Sequence, residues 1–354
     1  MSEAARFSIS ALGDCLSHGY DTLIDVRAPA EFAEDRMPGA INLPVLDDAQ
    51  RAEVGTIYKQ ASAFTARKTG AALVARNAAA HIEGPLAHHD GAWRPLVYCW
   101  RGGQRSNAFA SILGQIGWRV AVVEGGYRSY RAVVKTLLYD QPMTMPVVLL
   151  DGNTGTAKTE LLGLVAARGG QVLDLEGLAN HRGSVFGSMG AQPSQKAFES
   201  ALAVRIARLD PGRPVLIEAE SSKVGARVVP PMLWAAMTGA PRLCLKVPVA
   251  ARARYLVTAY GDIIADGRRL AGVLEALRPH QGAAQVAHWQ GLAGAGAFED
   301  LAGELIVNHY DPRYGRHRSG ATVGETLAVD RLDEAGLAQT ADRIMAAMER
   351  VRPR

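Results

Sequence analysis

Short apolar runs alternate with longer segments of helical periodicity along this chain. The apolar runs occupy residues 22–26, 95–98, 120–123, 147–150, 214–217 and 242–247. Between residues 106 and 116, the apolar side chains recur at helical spacing and share one face. Strands that alternate with helices are typical of parallel α/β sheets, whose ligand-binding loops lie at the carboxyl ends of the strands. We therefore predict an α/β fold.

A linker divides the chain. Residues 140–146 contain Pro142 and Pro146 and have no periodicity. The pattern predicts one domain over residues 1–139 and a second over residues 147–354, each large enough to bury its own core.

Composition describes an ordinary globular protein, with 48% hydrophobic and 21% charged residues. The three cysteines lie far apart, which favours a reducing compartment over a disulfide framework. No apolar stretch is as long as a membrane span, and the first residues lack a signal sequence. We expect a cytoplasmic chain with no membrane partner. Its net charge of +4 permits nucleic-acid binding without requiring it.

The apolar run at 95–98 leads into a loop that begins with Cys99 and closes at Arg105. Five residues separate the two. A thiol at the start of a helix, near Arg101 and Arg105, lies in a positive potential that favours the reactive thiolate. Backbone N–H groups at Gly102 and Gly103 can cradle an anion beside it. A buried structural cysteine is the alternative, but it requires neither the glycines nor the arginines.

The second domain opens with a strand, a glycine loop, Lys158-Thr159 and a helix, which is the P-loop layout. Such a loop binds a diphosphate, and Thr159 can hold Mg²⁺. Ala157 stands where the motif has glycine, and alanine fits there if its backbone is near-helical. The predicted diphosphate-binding residues are Gly152, Asn153, Thr154, Gly155, Thr156, Lys158 and Thr159.

Acidic residues follow the next two strands of the second domain. Glu218 and Glu220 end one apolar run, where a P-loop fold carries the acid on its Mg²⁺ side, and Glu176 ends another. Alternatively, Glu218 only caps the end of its strand and has no part in binding Mg²⁺.

Two groups of motifs carry resemblances to known families. Asp25-Val-Arg27, residues 38–42, the Cys99 loop and Gly125-Gly126 together resemble the rhodanese domain. That family carries sulfur or selenium on its loop cysteine. The loop spacing alone is also similar to that of dual-specificity phosphatases, so spacing does not separate sulfur chemistry from phosphate chemistry.

Almost the whole chain is similar to the tRNA 2-selenouridine synthase family. The resemblance is carried by residues 55–60, 66–74, 98–103, 174–178, 181–183 and 309–314. It implies an N-terminal rhodanese-like parallel-sheet domain and a C-terminal P-loop NTPase-like α/β domain. It also implies a transferase that replaces sulfur by selenium in wobble 2-thiouridine of a tRNA anticodon loop. The implied substrates are geranyl diphosphate and selenophosphate, and the reaction is expected to pass through an S-geranyl intermediate. The resemblance implies no tightly bound cofactor and allows Mg²⁺.

Basic and aromatic residues are the candidates for tRNA contact, with arginines on phosphates and tyrosines stacked on an extruded base. They are His181, Arg182, Tyr310, Arg313, Tyr314, Arg316 and Arg318. A solvated charged surface is the alternative. Two other classes of function also remain: a kinase with an accessory rhodanese sensor, which would turn over ATP, and a non-enzymatic scaffold, for which Cys99 would be dispensable.

Overall fold

Two compact units make up the chain. In the computed structural model, which describes residues 4–182, 190–313 and 323–350, unit one is Met1–Gln141 with Pro193–Ala207. Unit two is Pro142–Gln192 with Arg208–Arg354. The division after Gln141 falls within the predicted linker. The segment 193–207, which the sequence predicted to belong to the second domain, is grouped with unit one.

Each unit is built on a five-stranded, wholly parallel sheet, as the alternating pattern predicted. The strands are β1 Ala5–Phe7, β2 Thr22–Asp25, β3 Ile41–Asn42, β4 Pro95–Tyr98, β5 Ala121–Val123, β6 Val147–Gly152, β7 Gln171–Leu173, β8 Val215–Glu218, β9 Lys223–Val224, β10 Arg227–Val228, β11 Arg242–Lys246 and β12 Val323–Ala328. The strand order is β1-β5-β4-β2-β3 in unit one and β12-β11-β6-β8-β7 in unit two. The central strands β4 and β6 therefore precede the Cys99 loop and the P-loop, respectively.

Helices cover the sheets and form an additional cluster in unit two. They are α1 Leu12–Leu16, α2 Pro29–Glu34, α3 Asp48–Gln60, α4 Ala63–Glu83, α5 Gln104–Ile116, α6 Tyr127–Lys135, α7 Lys158–Ala167, α8 Leu175–Ala179, α9 Gln195–Ala207, α10 Pro231–Thr238, α11 Val249–Ala259, α12 Gly261–Ile264, α13 Gly267–Glu275, α14 Arg278–Gln281, α15 Ala283–Gly294, α16 Phe298–Leu305 and α17 Glu334–Glu349. Wider π-helical turns extend α6 and α16, over Thr136–Asp140 and Ile306–Tyr310. None of the helices among the described residues is long and apolar enough to cross a membrane.

Three apolar clusters stabilise the two units. Unit one packs α4 and α5 against its sheet around the fully buried Val97 and Phe109. In unit two, α7 and α17 cover the sheet, and a separate helical cluster surrounds the fully buried Trp289. The indole of Trp289 donates a hydrogen bond to Glu304 over 3.0 Å, so its one polar atom is satisfied inside the cluster.

Polar contacts explain why α9 is grouped with unit one. The Glu199 carboxylate accepts hydrogen bonds from Arg131 and from Tyr139, the latter over 2.8 Å. Ser200 donates to the buried carboxylate of Asp35 over 2.8 Å. These partners are 60 to 165 residues away along the chain. No local pattern in the sequence indicates them.

The Asp25-Val-Arg27 motif forms a buried ion pair in unit one. Both side chains are at most 1% exposed, and two guanidinium nitrogens of Arg27 donate to the Asp25 carboxylate over 2.6 and 3.0 Å. The same guanidinium lies 4.0 Å from the ring centre of Tyr127 and donates to the carbonyl of Asp35 over 2.7 Å. The pair therefore connects β2 with the segment that follows α2 and with α6. Its role is structural.

Removing one member of this pair should destabilise unit one strongly. We expect Arg27→Met to lower the free energy of unfolding by about 3–5 kcal/mol, because Asp25 would remain buried without a counter-ion. Urea unfolding followed by tryptophan fluorescence measures the change. The control is Arg94→Met, which removes a half-exposed arginine from its pair with Asp21 and should leave the midpoint nearly unchanged. Equal shifts in the two variants would contradict the assignment.

Candidate active site

The Cys99 loop lies at the carboxyl end of β4 and leads into α5. Cys99 is 3% exposed, and its Sγ lies 3.2 Å from the Oγ of Ser106, which is fully buried. Ser106 Oγ also lies 3.1 Å from the carbonyl oxygen of Gly103, to which it donates. The thiol is therefore held against the first turn of α5, whose N–H groups have no acceptor within the helix. The site combines a nucleophilic atom with backbone donors.

Glycines allow the backbone of this loop to pack against the turn after β5. Gly102 has a φ of +63°, and Gly126 a φ of +59°. A Cβ at Gly126 would lie 2.3 Å from the Cys99 carbonyl oxygen, and one at Gly102 would lie 2.5 Å from the Val123 carbonyl oxygen. The N–H of Tyr127 donates to the Cys99 carbonyl over 2.9 Å. The backbone of the Gly125-Gly126 motif thus packs directly against the Cys99 loop. Side chains at Gly102 or Gly126 would not fit between them.

The two arginines of the loop differ in their surroundings. Arg105 donates to the Glu31 carboxylate over 2.7 Å, so most of its charge is balanced by α2. Burial alone would raise the pKa of Glu31, but the hydrogen bond and charge of Arg105 outweigh it and leave that pKa lowered. Arg101 is exposed. We predicted that both arginines act on the thiol; in the structure Arg105 is instead committed to a carboxylate.

The P-loop has the predicted position between β6 and α7. Lys158 Nζ donates to the Gly152 carbonyl over 2.8 Å, and Thr156 Oγ1 donates to the Asn153 carbonyl over 2.8 Å. Gly155 has a φ of +83°, and a Cβ there would lie 3.0 Å from Leu256 Cγ on α11. Side chains of the P-loop are therefore hydrogen-bonded to carbonyl groups of the same loop, and its backbone packs directly on α11.

Ala157 departs from the expectation made from the sequence. Its φ of 59° and ψ of 32° place it in the left-handed region, whereas we expected a near-helical backbone. This conformation costs roughly 1–2 kcal/mol for a residue with a Cβ. The methyl group is 4% exposed and packs in the apolar cluster of unit two, which offsets part of that cost. The P-loop backbone is thus kept without its usual glycine.

The predicted acids lie around the base of the P-loop. Thr159 Oγ1 donates to Glu176 over 3.0 Å, and the N–H of Glu176 donates to Glu218 over 2.7 Å. Burial raises the pKa of Glu218 well above its usual range, with the charge of Asp174 as the next cause. Burial first, and the Glu176 charge second, raise the pKa of Glu220 to about 8. The raised pKa values of Glu218 and Glu220 therefore reduce the negative charge that these two carboxyls place near the loop.

The Thr159 hydroxyl, which we predicted as an Mg²⁺ ligand, is engaged by Glu176. Among the residues that the structure describes, no three His, Cys, Asp or Glu side chains form a group that could hold a metal ion. An Mg²⁺ ion here would therefore need phosphate oxygens of a substrate as additional ligands.

An ion pair between a buried arginine and a partly exposed aspartate, which the sequence did not indicate, holds the P-loop from the outside. Arg252, 4% exposed on α11, donates to both carboxylate oxygens of Asp311 over 2.7 and 2.9 Å. Its Nε donates to the Thr154 carbonyl over 2.8 Å. Asn153 donates to Asp311 over 2.8 Å. Asp311 lies in the stretch 309–314 that carried the family resemblance, which was the only signal for it in the sequence.

The candidates for tRNA contact are placed in different surroundings. Arg182 lines the open cavity above the P-loop, stacks 4.9 Å from the ring centre of Tyr260 and pairs with Asp262 over 3.3 Å. The neighbouring His181 donates its backbone N–H to the Glu176 carbonyl over 3.0 Å. Arg182 is thus positioned to contact an anion on the P-loop. The backbone of His181 is instead hydrogen-bonded to Glu176, one of the acids beside the P-loop.

The motif that begins at residue 309 is buried at its first two residues, His309 and Tyr310. Tyr310 is 8% exposed and lies in the helical cluster, so its ring offers no face for stacking on a base. Arg313 Nη1 lies 3.1 Å from His309 Nε2, which accepts its hydrogen bond. Burial, followed by the charge of Arg313, lowers the pKa of His309 to about 4 and keeps its imidazole neutral. Tyr314, Arg316 and Arg318 lie outside the described residues.

Together, the two loops define a rhodanese-like domain with a cysteine loop and a P-loop domain of the AAA type. The comparisons agree with this class. A family model for the tRNA 2-selenouridine synthase AAA domain matches residues 145–270, and one for rhodanese-like domains matches residues 10–133. The predicted fold class is confirmed.

Relatives extend the match over most of the chain. The tRNA 2-selenouridine synthase of Chromohalobacter salexigens is 33% identical over 323 residues, which cover 82% of this chain and 86% of that protein. That of Psychromonas ingrahamii is 37% identical over 251 residues, 70% of this chain and 67% of that protein. The chain belongs to the tRNA 2-selenouridine synthase family, a family of tRNA-modifying transferases. A solved rhodanese-related protein from Thermoplasma volcanium covers 37% of this chain and 92% of its own length at 19% identity, and its TM-score of 0.23 adds nothing to this assignment.

The ion pair of Arg252 and Asp311 should be required for anion binding at the P-loop. We expect Asp311→Asn to weaken the binding of inorganic pyrophosphate about tenfold, equivalent to about 1.4 kcal/mol, because Arg252 and Asn153 lose the carboxylate that holds them against the loop. Calorimetric titration measures the affinity. Asp300→Asn, at an exposed position on α16, should bind as the unmodified chain does. Unchanged affinity in Asp311→Asn would show that the pair does not support the loop.

Anion binding should also weaken with rising pH because of Glu220. Below a pH of about 8 its carboxyl is protonated and neutral, and above it a negative charge appears beside Lys158. Pyrophosphate affinity measured from pH 6.5 to 9 should therefore fall more steeply in the unmodified chain than in Glu220→Gln.

Glu299→Gln, an exposed control, corrects for the titration of the ligand itself. Its pH profile should match that of the unmodified chain. A Glu220→Gln profile identical to this control would show that Glu220 does not titrate next to the bound anion.

Proposed function

We propose that this chain converts wobble 2-thiouridine in a tRNA anticodon loop to 2-selenouridine through an S-geranyl intermediate. Geranyl diphosphate and selenophosphate are the two small substrates. One observation carries the proposal: a thiol loop and a diphosphate-type loop occur in one chain, each directly after the central strand of a parallel sheet. Membership of the tRNA 2-selenouridine synthase family supports it.

The first step is alkylation of sulfur. The thiocarbonyl sulfur of the nucleoside attacks C1 of geranyl diphosphate, so a C–S bond forms and the C–O bond to the diphosphate breaks. Pyrophosphate leaves with the bonding electrons, and the alkylated base releases its N3 proton to solvent. Lys158, the backbone N–H groups of the P-loop and the Arg182 guanidinium are positioned to stabilise that developing negative charge. No nucleotide hydrolysis is needed.

The second step replaces the alkylated sulfur by selenium. The selenium of selenophosphate adds to C2 of the base, and geranyl thiol leaves from the same carbon. Water then cleaves the P–Se bond, which releases phosphate and leaves selenium on the base. Alkylation is required because a thiocarbonyl sulfur is a poor leaving group, whereas the thioether is a better one.

We assign Cys99 and its loop to the selenium step. The N–H groups at the start of α5 and the exposed Arg101 are suited to hold the phosphoryl end of selenophosphate. Cys99 Sγ lies at the same helix start beside Ser106. We assign its thiol the role of assisting the transfer there, by donating the proton that the departing geranyl thiolate needs. The chain requires no tightly bound cofactor for either step; Mg²⁺, if used, would be held by Thr159 together with phosphate oxygens of the diphosphate.

Mass spectrometry of nucleosides from thiolated tRNA tests both steps. With geranyl diphosphate alone, the chain should produce S-geranyl-thiouridine; with selenophosphate added, it should produce 2-selenouridine. Cys99→Ala should still geranylate but lose at least about 100-fold of selenouridine formation, in line with the loss of a group that acts directly in a reaction. Cys15→Ala, which removes the other buried cysteine of unit one, should retain both products.

The opposite results identify the alternatives. Consumption of ATP without either product would favour a kinase. Binding of tRNA without either product, with Cys99→Ala indistinguishable from the unmodified chain, would favour a scaffold.

A further inference from the structure

An apolar cavity of about 70 Å³ lies in unit two, among the helices that follow β11. Nine of its twelve lining residues have pure hydrocarbon side chains and none is charged. Leu256, Ile263, Leu270, Leu301 and Leu305 supply much of the wall, from α11, α12, α13 and α16. That volume is several times the roughly 10–15 Å³ that one water molecule needs, so the cavity has room for a slender hydrocarbon chain.

This cavity adjoins the P-loop. Thr154, Leu256 and Tyr260 line both the apolar cavity and the open cavity above the P-loop. Leu256 is also the side chain on which Gly155 packs. Four residues before it on α11, Arg252 donates to the Thr154 carbonyl. One helix therefore positions the phosphate-binding backbone and contributes to the apolar wall.

The lining selects one class of ligand. A nucleotide on the P-loop carries a ribose and a base that need hydrogen-bond partners, and this wall offers almost none. A hydrocarbon chain needs none and is favoured by transfer from water into such a cavity. A ligand with a diphosphate at one end and a hydrocarbon chain at the other matches the two adjoining cavities.

We propose that this apolar cavity, lined by Leu256, Ile263, Leu270, Leu301, Ala302 and Leu305, holds the hydrocarbon chain of a prenyl diphosphate whose diphosphate lies on the P-loop. The identity of that ligand as the alkyl donor rests on the proposed function. The cavity determines which chain length is accepted. Helix α10 does not line this cavity, since its apolar side chains Met232, Leu233 and Met237 are buried next to β6.

Binding measurements without tRNA test this assignment. Calorimetric titration of the full chain with inorganic pyrophosphate, dimethylallyl diphosphate, geranyl diphosphate and farnesyl diphosphate gives the dependence of affinity on chain length. We expect geranyl diphosphate to bind at least about tenfold more tightly than dimethylallyl diphosphate, because more apolar surface leaves water. Affinity that does not depend on chain length would overturn the proposal without recourse to any variant.

Two substitutions change the size of the cavity in opposite directions. Ala302→Leu should remove most of the preference for geranyl over dimethylallyl diphosphate, and Leu305→Ala should improve farnesyl relative to geranyl diphosphate by about tenfold. Both should bind pyrophosphate as the unmodified chain does, since neither residue touches the P-loop cavity. The matched control is Leu274→Ala, in the same buried cluster but not in the cavity wall.

An equal change of chain-length preference in Leu274→Ala and Leu305→Ala would overturn the assignment, because the effect would then come from general loosening of the cluster. The proposed function fails separately. If affinity depends on chain length as expected but thiolated tRNA receives no geranyl group, the cavity is a prenyl site and the alkylation step is wrong.

Discussion

The bidentate pair of Arg252 and Asp311 is the interaction on which the second unit depends. The Arg252 guanidinium is almost fully withdrawn from water and therefore needs its carboxylate partner, whereas Asp311 is 30% exposed. The other partners of the pair, Asn153 and Thr154, are parts of the P-loop itself. Because Arg252 lies on α11 and Asp311 directly follows α16 and its π-helical turn, the pair also holds together two of the four helices that line the apolar cavity. The position of a phosphate-binding backbone and the shape of an apolar pocket are thereby set by one contact.

The charges around the P-loop follow from burial. Asp151, Glu176 and Glu218 are all less than 9% exposed, an unusual concentration of carboxyls next to a loop that binds anions. Desolvation raises the pKa values of Glu218 and Glu220, which keeps them protonated near neutrality, and Arg242 neutralises Asp151 over 3.1 Å. The loop thus retains the positive field of Lys158 and of the α7 N-terminus. Such fixed dipoles and charges need no reorganisation during a reaction, which is what the proposed departure of pyrophosphate from this loop requires.

Unit one uses its buried ion pair for a different purpose. Arg27 and Asp25 stabilise the sheet, and the Cys99 loop is then shaped by backbone contacts with Gly125-Gly126 instead of by side chains. Close packing of two backbones leaves the thiol fixed at the first turn of α5, with little freedom to rearrange. That rigidity suits the role proposed for Cys99, because a group that takes part in a reaction must be held in a well-defined position.

The sequence by itself determined the two parallel sheets, the positions of the Cys99 loop and the P-loop, and the family. Those features are local: an apolar run followed by glycines and a helix fixes where a loop must lie. The tertiary structure alone decided the partners of Arg252, Arg105 and Tyr310, the left-handed backbone of Ala157, and the grouping of α9 with unit one. Arg252 and Asp311 are 59 residues apart, and Arg105 and Glu31 are 74 apart. The apolar cavity draws its wall from four helices, none of which encloses a pocket alone. Periodicity shows which face of a helix is buried, but it does not show which other helix that face meets, because that choice depends on packing summed over the whole unit.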